Sequence, residues 1–255
     1  MREILEAVAD GELSPTEAEG ELKGYARTAA GRFDAAREGR SGVPEAVLAE
    51  GKTAEEVAAM TAGAVETTGH ALVTRADADD VAACRRRLAE THPDAELRRD
   101  DRARTLVVHA PEYEPPDLAA TVTVVTAGTS DAAAAGEAAV VAEEMGATVD
   151  VVEDVGVAGL TRLLDRLESL RAADALVVAA GREGALPTVV AGLVDVPLIG
   201  LPVSNGYGHG GSGEAALAGM LQSCTPITTV NIDAGFVAGA QAGLVARAVA
   251  DARGE

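Results

Sequence analysis

Residues 121–145 read TVTVVTAGTSDAAAAGEAAVVAEEM. Six β-favouring residues without a charge make a strand buried on both faces, as in a covered parallel sheet. Ala127-Gly128 breaks the run, and Thr129-Ser130-Asp131 has the composition of a helix start. An alanine-rich helix over 131–145 follows. Strand, glycine turn and helix in this order make the opening unit of a parallel α/β sheet.

Downstream the alternation continues. Strands are expected at 148–152, 175–180, 198–201 and 228–232. Helices are expected at 156–172, 186–194, 214–221 and 234–252, the first with Leu160, Leu163, Leu164, Leu167 and Leu170 along one side. About five parallel strands covered on both faces result, with a ligand expected outside their carboxyl ends.

Upstream the pattern differs. Two capping-box spellings, Ser14-Pro15-Thr16-Glu17 and Thr53-Ala54-Glu55-Glu56, start helices. Residues 25–52 read as an ordered loop with a short strand. Strands at 70–74 and 106–109 flank a helix over 77–91. A small α/β domain over 1–110, a proline-rich linker at 111–120 (three prolines and several acids) and a second domain over 121–255 account for the chain.

Composition narrows the function. The 255 residues carry 41 acids against 21 Lys plus Arg, a net charge of −20, and lysine occurs only at Lys23 and Lys52. Such a surface repels a phosphate backbone, so nucleic acid is not an expected partner. An acidic, lysine-poor chain fits a cytosol of high salt, where repulsion is screened within a few Å. An ordinary acidic protein from a GC-rich genome is the alternative. The amphipathic, charged start lacks the apolar core of a signal peptide, and no stretch reaches membrane-span length, so a cytoplasmic protein without membrane contact is expected. The two cysteines, Cys84 and Cys224, make no disulfide framework. Four histidines without paired spacing make no zinc site.

Chemistry concentrates in a few stretches. In Thr126-Ala127-Gly128-Thr129-Ser130-Asp131, free N–H groups and hydroxyls suit a phosphate or carboxylate, or the residues simply cap a helix. Glu183 is an acid/base candidate or a solvated turn acid. Asp154 and Arg162 either reach the same site or serve a helix start and a surface. Residues 203–213 carry five glycines, among them Gly206 and Gly208 around Tyr207, so the backbone can lie against a ligand. The helix after them delivers Cys224, either a nucleophile or a small core filler. Cys84 reads as structural. Lys52, before a helix, suits a phosphate or is a surface lysine.

These residues resemble a known family. TAGTSD, Asp154-Val155-Gly156-Val157-Ala158-Gly159-Leu160, the run EGALPTVVAGL from Glu183, the Gly-Tyr-Gly loop, MLQSC ending at Cys224 and VNIDAGF are similar to the carboxylases of nickel-pincer nucleotide biosynthesis (the LarB family). Arg37, Arg40, Gly42, Pro44, Glu45 and Gly51-Lys52-Thr53 extend the likeness upstream. Arg182, Thr161, Ala234 and Val43 depart from it. The second domain is similar, more distantly, to aminoimidazole ribonucleotide carboxylase/mutase, which carries a histidine where Ala185 stands here.

The resemblance implies a flavodoxin-like second domain, three layers α/β/α. It implies carboxylation of nicotinic acid adenine dinucleotide at pyridine C5 with CO2 or bicarbonate, and hydrolysis of its phosphoanhydride to leave pyridinium-3,5-biscarboxylic acid mononucleotide and AMP. Cys224 is then the covalent nucleophile and Glu183 or Asp131 the base. Thr126, Gly128, Thr129, Ser130, Asp154, Arg162, Gly206, Tyr207 and Gly208 bind substrate, with Arg37, Arg40 and Lys52 over the adenylate side. No cofactor is required for the carboxylation; Mg2+ suits the hydrolysis, although no metal motif asks for it. A homo-oligomer, plausibly an octamer, is implied. The competing readings are a purine-pathway carboxylase/mutase and a non-catalytic nucleotide-binding regulator.

Overall fold

The computed structural model describes residues 2–11, 18, 24–28 and 30–254. The Ser14-Pro15-Thr16-Glu17 spelling lies outside them. The chain forms two compact units, Met1–Glu114 and Pro115–Glu255.

In the first unit α1 (Arg2–Ala9) is followed by the hairpin β1 (Ala26–Thr28) and β2 (Gly31–Phe33), the short α2 (Arg37–Ser41) and β3 (Ala46–Leu48). Residues 25–52 therefore hold three short strands and a helix rather than a loop with one strand. Each is too short for a period to show. Then come α3 (Ala54–Thr68), β4 (His70–Thr74), α4 (Ala78–Thr91), β5 (Glu96–Asp100) and β6 (Thr105–His109). The four-stranded sheet runs β3-β4-β6-β5, parallel only between β3 and β4. Sequence reading misses β5, whose residues ELRRD are mostly polar; it is an edge strand with alternate residues exposed. Charged edges of this kind block further pairing. Thr53 caps α3 in a full capping box with Glu56, and Asp77 caps α4 in the same way with Asp80.

The second unit alternates β7 (Thr121–Thr126), α5 (Ala132–Glu144), β8 (Thr148–Val152), α6 (Leu160–Leu164), α7 (Leu167–Ala172), β9 (Ala175–Ala180), α8 (Ala185–Ala191), β10 (Leu198–Pro202), α9 (Glu214–Leu221), β11 (Thr228–Thr229) and α10 (Gly235–Arg253). All five strands are parallel, in the order β11-β10-β9-β7-β8. This is a three-layer flavodoxin-like sheet, with its switch point between β7 and β9.

Alternation within the strands builds two cores. Val122, Val124, Val177, Ala179, Ile199 and Leu201 face α5 and α10, and Val125, Leu176, Val178 and Leu198 face Leu163, Leu170, Leu186 and Met220. Small residues let α5 and α10 pack closely: a Cβ on Gly239 would lie 2.3 Å from the Ala138 carbonyl oxygen. The leucine-rich segment 156–172 is not one helix. It breaks at Asp165-Arg166 into α6 and α7, so Leu163 and Leu170 are buried while Leu160 and Leu164 stay exposed. β11 is only two residues long, against the five expected. Among the described residues no helix is long and apolar enough to cross a membrane.

Candidate active site

A cavity of about 230 Å3 opens at the carboxyl ends of β7 and β9, the switch point. The β7 turn contributes Ala127, Gly128, Ser130 and Asp131; the segment after β8 gives Gly156, Val157 and Ala158. The β9 turn and the start of α8 give Ala180 to Glu183, Ala185 and Leu186, and the segment after β10 gives Asn205. The walls close because Gly156 has no side chain: a Cβ there would stand 2.6 Å from the Ala127 carbonyl oxygen.

Asp131 is the buried acid of the cavity wall. It sits in the single 3-10 turn that joins β7 to α5 and is 3% exposed. Its side chain makes no cap bond to α5. Oδ2 instead accepts the Gly128 N–H at 2.8 Å, and Oδ1 accepts the Asn205 amide at 3.1 Å. Burial pushes its carboxyl above the ordinary Asp range, and the hydrogen bonds from Gly128, Asn205 and Ala127 oppose this only in part. A buried carboxyl of this kind in a cleft, held above the ordinary Asp range, is a candidate for proton transfer.

Glu183 lines the same cavity and is exposed. Arg182, in a left-handed conformation at φ 47°, places its guanidinium 4.7 Å from the Tyr207 ring centroid. The same guanidinium holds the Tyr207 hydroxyl below its usual range. Tyr207 is 77% exposed. Gly206 packs its α-carbon near the Arg182 backbone, and Gly208 takes φ 77° in open space. The loop is held from below by Asp233, whose Oδ1 accepts the Ser204 N–H at 3.0 Å.

The remaining expected residues divide into those near this edge and those elsewhere. Thr126 is buried, and its Oγ1 accepts the Asp154 N–H at 3.3 Å. Asp154 is ion-paired to Arg162, both about half exposed. Neither of these two lines the cavity, nor does Thr129. In the first unit Arg37 is bonded to Glu45 at 2.8 Å, Arg40 to Asp34 at 2.6 Å, and the Lys52 ammonium to the Leu48 carbonyl at 2.5 Å. These cations are already engaged within their own unit.

Cys224 departs most from expectation. The thiol is exposed. It follows α9, which runs back from the carboxyl edge, and it precedes β11, whose Thr228 is level with Ile199 near the start of β10. Thr225 lies beside Gly192, at the far end of α8. Within one chain, therefore, the thiol and the cavity stand at opposite edges of the sheet. The glycine loop precedes Cys224 in sequence, but an eight-residue helix intervenes and carries it about 12 Å away.

Asn205 is the cavity residue that sequence reading misses. The glycines that follow draw attention to backbone freedom, and nothing in their spacing marks the carboxamide just before them.

A parallel doubly wound sheet with a carboxyl-lined cavity at its switch point defines an α/β protein with a candidate small-molecule site. The comparisons with known proteins narrow this. Residues 25–110 match the LarB/PurE-like N-terminal domain, and residues 121–253 match the AIR carboxylase domain. The chain belongs to the LarB-type family that joins these two domains. It is 37% identical over 254 residues to the uncharacterized protein MJ0165 of Methanocaldococcus jannaschii, covering 97% of each chain. Two solved structures overlap about half of it: PurE of Treponema denticola, 20% identical over 51% of this chain and 78% of that one with a TM-score of 0.40, and a flavodoxin from the domain Archaea, 15% identical over 50% and 99% with a TM-score of 0.36. The domains are those of a carboxylase-type enzyme.

Proposed function

We propose that the protein carboxylates the pyridinium ring of nicotinic acid adenine dinucleotide at C5 and hydrolyses its phosphoanhydride. The observation that carries this reading is the buried Asp131 carboxyl in the wall of the switch-point cavity, raised above the ordinary Asp range. Carboxylation of an aromatic carbon ends with the loss of its proton, and Asp131 is suited to receive it. Ala185 also lines the cavity, where the purine-pathway enzymes have a histidine, and this favours pyridinium over purine chemistry.

A pyridinium ring is electron-poor and does not attack CO2. Addition of a thiolate at C4 forms a carbon–sulfur bond and leaves an enamine with a nucleophilic C5. C5 then bonds to CO2, and the C5 proton passes to Asp131 or to Glu183 at the rim. The C–S bonding pair returns to sulfur and the aromatic pyridinium is restored, so no oxidant is needed. Water next opens the phosphoanhydride to release AMP. Ser130 and the N–H groups of the β7 turn suit the phosphate beside the ribose.

The thiol is that of Cys224. It lies at the other sheet edge of its own chain, so this reading requires a homo-oligomer in which one copy supplies Cys224 to the cavity of another.

The test is incubation with the dinucleotide and 14C-bicarbonate, with and without Mg2+. Acid-stable label in the mononucleotide with an equal amount of AMP is expected. Absence of both overturns the reading.

A further inference from the structure

We infer that Asn205 is a positioning residue, one whose carboxamide donates to the Asp131 carboxyl in the cavity wall and so favours the ionised form that accepts a proton. This rests on the reading that Asp131 is the proton acceptor.

The geometry is specific. Asn205 comes from the segment after β10, and Asp131 lies 74 residues earlier in the turn after β7. One carboxamide nitrogen makes two bonds across that gap, to the Ser130 carbonyl at 2.5 Å and to Asp131 Oδ1 at 3.1 Å. Both partners are acceptors, so only the –NH2 end of the carboxamide satisfies them, which fixes its orientation. The other carboxylate oxygen is held by the Gly128 N–H. Asp131 is thus gripped at both oxygens by uncharged donors.

The charged groups on the surrounding elements are otherwise engaged or offer no bond to this carboxyl. Arg182 is turned to Tyr207, and Asp154 and Arg162 pair with each other. Asp233 accepts from Ser204. Glu183 follows Arg182 on the β9 turn, and Glu137 lies further along α5. The influences on Asp131 are burial and the donors at Gly128, Asn205 and Ala127, with no ion among them. Asn205 is the side chain in that set, and so the one that substitution can remove.

Donors to a carboxylate stabilise its charged form. Loss of the Asn205 donor therefore makes Asp131 harder to ionise, and its titration moves to higher pH. A hydrogen bond to a charged group changes such an equilibrium by about tenfold or more.

The experiment compares the full-length wild type with N205L, which keeps the volume and removes the donor, and N205Q, which keeps a carboxamide. The Asp131 13Cγ resonance, assigned by its loss in D131N, is titrated without substrate, and kcat/KM is measured against pH. In N205L the titration is expected to move up. On the acid limb kcat/KM falls about tenfold, while the alkaline plateau stays within about twofold of wild type; N205Q recovers most of the loss. An unmoved titration in folded N205L, or an equal loss at every pH, overturns the inference. If N205L does not fold, N205A removes the donor without adding bulk or charge and is judged by the same two readouts. If wild type forms no labelled product but the titration still moves in N205L, the carboxylase reading fails and the role of Asn205 stands. Product formation with an unmoved titration has the reverse meaning.

Discussion

The Asp131 carboxylate, buried although Thr129 and Ser130 of the same turn are exposed, accepts the Gly128 N–H at 2.8 Å. The acid is held where its charge is disfavoured. Its folded-state affinity for a proton exceeds that of the unfolded chain, so this group favours folding at low pH. That advantage is lost as pH rises from the ordinary Asp range through its raised value. D131N removes the buried charge and keeps an acceptor for Gly128. The expected result is a higher melting temperature than wild type at pH 7, with the gap narrowing at pH 4. Turnover falls by about a hundredfold or more. Equal melting temperatures at pH 7 contradict this account.

Cys224 is exposed, so C224S is expected to leave stability within about 0.5 kcal/mol of wild type. It abolishes turnover if the thiol is the nucleophile. Opposite-edge placement adds a sharper expectation. C224S and D131N, each inactive, regain activity when co-expressed or unfolded and refolded together, because some cavities then combine an intact acid with an intact thiol from a neighbour. No recovery in demonstrably mixed oligomers excludes a shared site.

Asp174 links three elements. Its carboxyl accepts from Arg253 at 2.5 Å and from the Thr121 N–H at 2.8 Å, and the Arg253 guanidinium holds it below the ordinary Asp range. The folded state therefore holds the proton less tightly than the unfolded one. The stability gained is complete above the ordinary range and is lost as pH falls through the depressed value. D174N is expected to cost about 1 kcal/mol at neutral pH, because Arg253 is half exposed. Urea melts at pH 7 and pH 3 check this: the difference from wild type shrinks at the lower pH.

Gly239 leaves no room for a side chain between α5 and α10. G239A forces the helices apart and is expected to cost about 1–3 kcal/mol, despite alanine's higher helix propensity. A denaturation midpoint at or above that of wild type excludes such close packing.

With a net charge of −20 the folded chain repels itself. The melting temperature is expected to rise steadily as KCl goes from about 0.1 M to about 3 M, as screening shortens the reach of each charge. A flat response favours the ordinary acidic protein.

The second unit was legible in the sequence because its three central strands are apolar on both faces and its helices are marked by alanine or leucine. TVTVVT and ALVVAA admit few other readings. Legibility failed where the signal was short or polar, at the hairpin around Gly31 and at the ELRRD edge strand. The leucine run failed for another reason: leucines three and four apart fit one long helix equally well, and only the tertiary break at Asp165 distinguishes two. At the site, Ser130, Asp131 and Glu183 were legible because turns after parallel strands converge at one edge. Cys224 was misplaced because proximity in sequence to the glycine loop was taken for proximity in space, although α9 reverses the chain between them. Asn205 carried no pattern at all.

The contact between Arg182 and Tyr207 has a practical use. The chain has three tyrosines and no tryptophan. Tyr25 and Tyr113 belong to the first unit, so Tyr207 is the second unit's only tyrosine, and it sits beside the cavity mouth under a guanidinium. A ligand that draws Arg182 away changes the emission of that one ring. The molecule thus carries its own unlabelled optical reporter of occupancy, read against a Y207F blank.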